Sequence, residues 1–177
     1  MSNIINGTLV SLIPISLEDT ELIVRWRNNP NIQNNFVFRE TFTNEMHLNW
    51  MNNKVATGKV VQFIIQDNQT KKKIGSVYLR DVDSIFKSAE YGIFIGEDDF
   101  RGRGFGSEAA KLIVDYAFKQ MKLHRVFLRI FKKNTAAVAS YKKVGFEVEG
   151  IARDIVYLDD EYHDMIFMSM INEEESE

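Results

Sequence analysis

In Arg101-Gly102-Arg103-Gly104-Phe105-Gly106, three glycines alternate within five residues, between a β-rich segment and a helical one. Glycine reaches backbone angles that side chains forbid, and it lets a ligand approach the main chain. Successive N–H groups in such a turn can converge on an anion, helped by the positive end of the helix that follows. Arg101 and Arg103 add charge suited to phosphate oxygens. A phosphate-bearing ligand fits these residues, and so does a flexible surface turn before a helix. A P-loop is excluded, because Gly106-Ser107-Glu108 lacks the required lysine. A dinucleotide fingerprint is excluded too: Ser107 stands where its third glycine belongs, and the turn follows a run of strands rather than opening an early βαβ unit.

Upstream of the turn, residues 8–13 are β-rich and end at Pro14, which predicts a first strand. Ser16 and Asp19 are spaced as a capping box, and Leu22, Ile23 and Trp26 follow at helical spacing, with Pro30 ending the helix. A polar stretch, 28–35, is broken only by Ile32. Thr43 can cap a second helix carrying His47, Trp50 and Met51 on one face. Residues 60–65 and 74–82 predict strands joined by the turn Asp67-Asn68-Gln69-Thr70, and 88–95 completes an antiparallel meander.

Downstream, Ala110, Ile113, Val114, Ala117 and Met121 form the apolar stripe of a helix starting near Phe105. Residues 126–131 are apolar on both faces apart from Arg129, as in a strand inside a sheet. Asn134 opens a short helix through Lys143, closed by Gly145 in a left-handed conformation. Strands are predicted at 146–151 and 154–158, then a turn at Asp159-Asp160 and a closing strand at 163–170. The order is that of a single α+β domain over residues 1–171, with 172–177 a disordered acidic tail.

Bulk composition agrees. A chain of 177 residues fits one domain, and 45% apolar with 12% aromatic residues fills a core. There is no cysteine, hence no disulfide framework or thiolate metal site, and no cluster has metal-ligand spacing. The formal net charge of -3 disfavours a nucleic-acid binder. No apolar stretch approaches the ~20 residues of a membrane span, and the N-terminus lacks a signal-peptide pattern. A cytoplasmic protein is expected.

Arg101, Gly104 and Gly106 occupy the three defining positions of Gln/Arg-x-x-Gly-x-Gly/Ala, and Asn134, Tyr141, Gly145 and Phe146 match Asn-x6-Tyr-x3-Gly-Phe. Together with the order of strands and helices, these motifs resemble the GNAT superfamily of N-acetyltransferases over nearly the whole chain. The resemblance implies a mixed, mostly antiparallel sheet of about seven strands flanked by helices, with two central strands splayed apart around acetyl-CoA. It implies acetyl-CoA as co-substrate and no metal, with contacts from Ile93, Phe94 and Ile95 on the splayed strand and from Arg101, Gly102, Arg103, Gly104, Phe105, Gly106 and Ser107 in the turn. Asn134 would bond the CoA arm or adjoining backbone, and as a helix N-cap it can serve both ends at once. A homodimer through the C-terminal strands is a further expectation from the resemblance.

Tyr141 matches the family's general acid, which protonates the departing sulfur; a phenol, with a pKa of ~10, keeps its proton at neutral pH. Glu90 lies on the splayed strand with Gly92 and Phe94 on its face, and can act as general base, directly or through water, or bind a cationic substrate. His47 and His163 are rival bases. The resemblance does not fix the acceptor. Arg25-Trp26-Arg27-Asn28-Asn29-Pro30 with His47-Leu48-x-Trp50 looks like enzymes that acetylate an amino sugar on a nucleotide: Arg25 and Arg27 would meet phosphates, and Trp26, Phe36 or Phe38 would stack on base or sugar. Residues 63–170 also resemble spermidine and ribosomal-protein N-terminal acetyltransferases. Glu18, Asp19, Glu21, Asp159, Asp160 and Glu161 are the carboxylates available to a polyamine. An inactive CoA-binding sensor is the alternative of another class, and retention of Tyr141 argues against it.

Overall fold

The computed structural model describes residues 3–173; residues 174–177 of the expected acidic tail lie outside the described residues. The chain opens with β1 (Ile5–Asn6) and β2 (Val10–Pro14). The start of β2 is tied to a distant helix: the Glu108 carboxylate accepts from the N–H groups of Thr8, Leu9 and Val10 at 2.9, 2.7 and 2.8 Å.

The Ser16–Asp19 capping box forms, with the Ser16 N–H donating to Asp19 at 2.9 Å, and leads into α1 (Thr20–Arg27). α1 ends before Pro30, as expected, but Pro30 also opens a further short helix. It is the first residue of α2 (Pro30–Gln33), a position where its missing N–H costs nothing. The polar stretch 28–35 therefore contains a helical turn, pinned by buried Ile32. α3 (Asn44–Trp50) begins on Thr43, whose hydroxyl accepts from the Met46 N–H at 3.2 Å, and runs on as a π-turn over Met51–Val55.

The expected meander follows as β3 (Val60–Asp67), β4 (Lys73–Asp83) and β5 (Ser88–Ile95), all antiparallel. Then come α4 (Phe105–Lys119), β6 (Arg125–Phe131), α5 (Thr135–Val144), β7 (Glu147–Leu158) and β8 (Glu161–Ile171). The strands predicted at 146–151 and 154–158 are one strand, β7. It is bent by a register shift between Ala152 and Val156, where Asp154 has a φ of 53°.

The eight strands form one sheet in the order β1-β2-β3-β4-β5-β6-β8-β7. Period-two alternation gives the sheet two apolar faces. One carries Phe63, Leu79, Tyr91, Val126 and Leu128 and packs on Ala110, Ile113 and Ala117 of α4 and on α5. The other carries Ile64 and Phe94 and packs on Ile23 and Trp26 of α1 and on Ile32. Among the described residues only β5 and β6 are paired in parallel, and only through Ser88↔Arg125, Ala89↔Val126 and Glu90↔Phe127. Both strands continue, to Ile95 and Phe131, without further pairing between them. The sheet therefore opens after Glu90.

Candidate active site

A cavity of about 890 Å³ follows this opening. Tyr91, Ala137 and Tyr141 line it from one face of the sheet, and Phe36, Tyr78 and Arg80 from the other, with Ile93, Phe94 and Ile95 along β5. Beyond Glu90, β5 keeps β4 on one side and loses β6 on the other. Alternate residues there turn their N–H and C=O groups into the gap, as an unpaired strand edge must.

The glycine turn closes one end. Gly102 and Gly104 have φ of 71° and 88°, and Gly104 is the N-cap of α4. The N–H groups of Phe105, Gly106 and Ser107 occupy the first turn of α4 and have no acceptor inside the helix. A Cβ on Gly106 would lie 3.8 Å from Ile93 and Ile95, so the turn rests directly on β5. Arg101 lines the cavity: its Nε donates to the Ile95 carbonyl at 3.1 Å and its Nη2 lies 2.8 Å from Asp98. Arg103 is turned elsewhere, over Phe100 and Phe105 at 5.5 and 5.3 Å from their ring centres. Free amides beside two left-handed glycines fit the phosphate end of a CoA-type ligand.

Asn134 is the N-cap of α5, its Oδ1 accepting from the Ala137 N–H at 3.2 Å, and it also lines the cavity. About two helical turns later comes Tyr141, half-buried, edge-on to Tyr91 at 5.8 Å and to Phe146 at 5.9 Å. Burial pushes its phenol above the ordinary tyrosine range, with a smaller contribution from Tyr78, so it stays protonated. Gly145, with a φ of 121°, ends α5 and lets the chain turn into β7.

Glu90 is 4% exposed and held from both sides. Arg80 donates through Nε and Nη2 at 3.1 and 2.8 Å, and Arg129 through Nε and Nη2 at 3.0 Å each. Burial alone would raise the Glu90 pKa, but the bonds from Arg129 and Arg80 outweigh it and the net shift is downward. A carboxylate so held is a weak proton acceptor. Sequence reading missed its partners. An arginine interrupting each of two apolar strands was the available signal, and only Arg129 was noted as the exception in its strand.

Of the expected acceptor residues, Arg27, Phe36 and Phe38 line the cavity. Trp26 and Arg25 do not. Trp26 is 1% exposed, packed against Gly96, and its indole N–H donates to Glu97 at 2.8 Å. Arg25 pairs with the same carboxylate. His47 is buried; because the Thr20 hydroxyl donates to the Leu17 carbonyl, Nδ1 of His47 donates to Thr20 Oγ1 at 2.9 Å. His163 bonds the Leu158 carbonyl through Nε2 and is not among the cavity residues.

The family model described as "Acetyltransferase (GNAT) domain" matches residues 10–147 of this chain. The chain belongs to the GNAT acetyltransferase family. Among similar proteins, the spermidine N(1)-acetyltransferase of Escherichia coli K12 is 28% identical over 160 residues, covering 90% of this chain and 84% of that one. A putative ribosomal N-acetyltransferase of Bacillus subtilis is 31% identical over 100 residues, covering 56% and 54%. The crystal structure of spermidine N-acetyltransferase from Vibrio cholerae in complex with CoA and spermine superposes with a TM-score of 0.86 at 25% identity, over 93% of this chain and 96% of that one. The molecule is thus a GNAT-type N-acetyltransferase with acetyl-CoA as donor. Among the described residues no group of side chains could hold a metal ion, and no helix is long and apolar enough to cross a membrane.

Proposed function

We propose that this GNAT enzyme acetylates a primary amine on a small anionic molecule, with an amino sugar carried on a nucleotide as the acceptor class. The carrying observation is Arg27. Its guanidinium lies 3.6 Å over the Phe36 ring and 5.1 Å from Phe42. It lines the cavity and is offered no carboxylate among the described residues. Burial, the largest influence, lowers its pKa, with Arg80 adding to the fall and Tyr78 opposing it. The other charged residues of the wall tell the same way: Arg80 and Arg129 share the single charge of Glu90, while Arg101, at the donor end, pairs with Asp98. An acceptor bearing phosphate supplies the missing anion, and Phe36 and Phe38 offer it apolar walls.

The polyamine reading is favoured by the relatives, whose names specify spermidine. Against it stands the placement of the carboxylates. Glu18, Asp19, Glu21, Asp159, Asp160 and Glu161 are all absent from the cavity wall, Asp19 is paired with Lys73, and Asp159 with Arg39. A polyamine would meet the three cations Arg27, Arg80 and Arg129 and one neutralised anion.

In the proposed reaction acetyl-CoA lies along β5 with its phosphates at the glycine turn. The amine nitrogen attacks the thioester carbonyl carbon, the C–S bond breaks, and Tyr141 gives its proton to the sulfur. The nitrogen's surplus proton leaves to water, and Tyr141 regains a proton from water. Holding both reactants in the gap supplies much of the rate. Glu90 fixes Arg80 and Arg129 rather than accepting a proton. We place the reaction in the cytoplasm, where acetyl-CoA is supplied. Assembly into oligomers is proposed as well. The Vibrio cholerae relative has a dodecameric structure. Here the edge strand β7 exposes Val148, Ile151, Ile155 and Tyr157.

The test is thiol release from acetyl-CoA with a UDP-linked 4-aminohexose, with spermidine and with an N-terminal peptide as separate acceptors. Release with the sugar nucleotide supports the reading; release with spermidine alone assigns the chain to polyamines.

A further inference from the structure

We propose that Tyr78 holds the acceptor amine at the reaction centre, and that residue 92 is glycine so that the Tyr78 phenol can reach there. The two residues face each other across β4 and β5, in the register Tyr78↔Gly92. A Cβ at Gly92 would collide with Tyr78 Cζ, Cε2 and Oη, so the hydroxyl end of the ring lies across the strand at that residue. Gly92 is the second residue after the last β5–β6 pair, Glu90↔Phe127. The Tyr78 hydroxyl therefore sits where the strands have just parted. Tyr78 belongs to the face covered by α1, and Tyr141 to the face covered by α4, yet both line one cavity. Two phenols thus approach the gap from opposite sides of the sheet.

The ring is held by a chain of satisfied groups. Trp50 meets it edge-on at 6.4 Å, and the Trp50 indole N–H donates to Gln62 Oε1 at 2.8 Å. Gln62 Nε2 donates to Ser76 Oγ at 2.9 Å, and the Ser76 hydroxyl donates to the Phe63 carbonyl at 3.0 Å. Every polar group in that chain is used. The Tyr78 hydroxyl at its end makes no hydrogen bond among the described residues.

The chemistry of attack explains what such a hydroxyl does. A neutral amine must aim its lone pair at the thioester carbon, so its N–H bonds need an acceptor elsewhere. Glu90 is committed to two guanidiniums. A phenol oxygen accepts one N–H and stays neutral. Burial raises the Tyr78 pKa, so the phenol keeps its own proton. No proton passes through Tyr78: nitrogen bonds to carbon, the C–S bond breaks, and the nitrogen's surplus proton leaves to water.

This inference rests on the acetyl-transfer reading, and one experiment separates the two. Wild type, Tyr78→Phe, Gly92→Ala, Tyr78→Ala and Tyr78→Ala/Gly92→Ala are assayed for thiol release with a UDP-linked 4-aminohexose and with spermidine, and for acetyl-CoA affinity by calorimetry. Tyr78→Phe keeps the ring and its packing on Trp50. It is expected to lower kcat/KM for the accepted amine about tenfold, the effect of one lost hydrogen bond, with acetyl-CoA affinity within about twofold. Gly92→Ala is expected to cost at least as much alone, and less than about twofold when Tyr78 is already alanine, because no ring remains to displace. Tyr78→Phe with wild-type kcat/KM overturns the assignment of Tyr78. An equal Gly92→Ala loss in both backgrounds overturns the assignment of Gly92. A wild type that binds acetyl-CoA yet releases no thiol with either amine overturns the acceptor reading, and the inference with it.

Discussion

Arg129 reaches back from β6 to close both oxygens of Glu90 with two bonds of 3.0 Å, at the last residue where β5 and β6 still pair. Arg80 completes the cluster from β4. Three strands are thereby pinned where the sheet begins to open. Glu90→Gln leaves two guanidiniums without their counter-charge. We expect a loss of about 2 kcal/mol, below the 3–5 of a fully buried pair because both arginines keep solvent contact. Urea unfolding of the two proteins measures it; equal stability refutes the role.

The same cluster sets an acid limit. The folded-state pKa of Glu90 is lowered, and that of Glu149, bonded by Arg125, falls to about 2. Depressed carboxylates contribute stability that is present above their unfolded value of ~4.3 and lost as pH falls through the folded value. The melting temperature should hold between about pH 5 and 8 and fall below about pH 4.5. In Glu149→Gln the acid fall should be shallower; an unchanged profile counts against it.

Tyr141→Phe removes the proton donor and leaves the ring edge-on to Tyr91 and Phe146. Turnover is expected to fall by about 10²–10³, within the usual range for a lost general acid, with acetyl-CoA affinity changed by less than a few-fold. Steady-state kinetics and calorimetry read the two quantities. Unchanged turnover removes Tyr141 from the chemistry.

Gly104→Glu places a side chain at a φ of 88° and a negative charge at the N-terminus of α4. Both oppose a phosphate there, and acetyl-CoA affinity should drop at least about 100-fold. Gly104→Ala carries the strain without the charge and should lose less. Circular dichroism checks folding. Wild-type affinity in a folded Gly104→Glu protein refutes the glycine-turn site.

Trp26 is core rather than acceptor contact, and Trp26→Phe should show it. Losing the indole N–H to Glu97 and part of the packing on Gly96 should cost about 2 kcal/mol, with acceptor KM unchanged. A raised acceptor KM at full stability would restore Trp26 to the site.

The elements expected to form the donor side were legible because their signals are local, while their roles came from the family resemblance. The glycine turn, the Asn134 cap and Tyr141 lie within 41 residues of one another and need only strand, turn and helix periodicity to be placed. The acceptor side was not. Trp26 reads as an aromatic ready to stack, and what buries it is Gly96, 70 residues away. Tyr78, Arg80 and Arg129 gain meaning only from the register that sets them against Gly92 and Glu90. Pro30 misled because the same residue that ends one helix is favourable at the start of the next. β1 is only two residues long and leaves no periodicity to find.

The most direct test of an anionic acceptor is a single competition. The enzyme is given acetyl-CoA with equal, sub-saturating concentrations of a UDP-linked 4-aminohexose and spermidine, and the acetylated products are quantified by mass spectrometry. The unpaired Arg27 and the arginine-rich wall predict acetylated sugar nucleotide in large excess. Acetylspermidine as the main product would contradict the account.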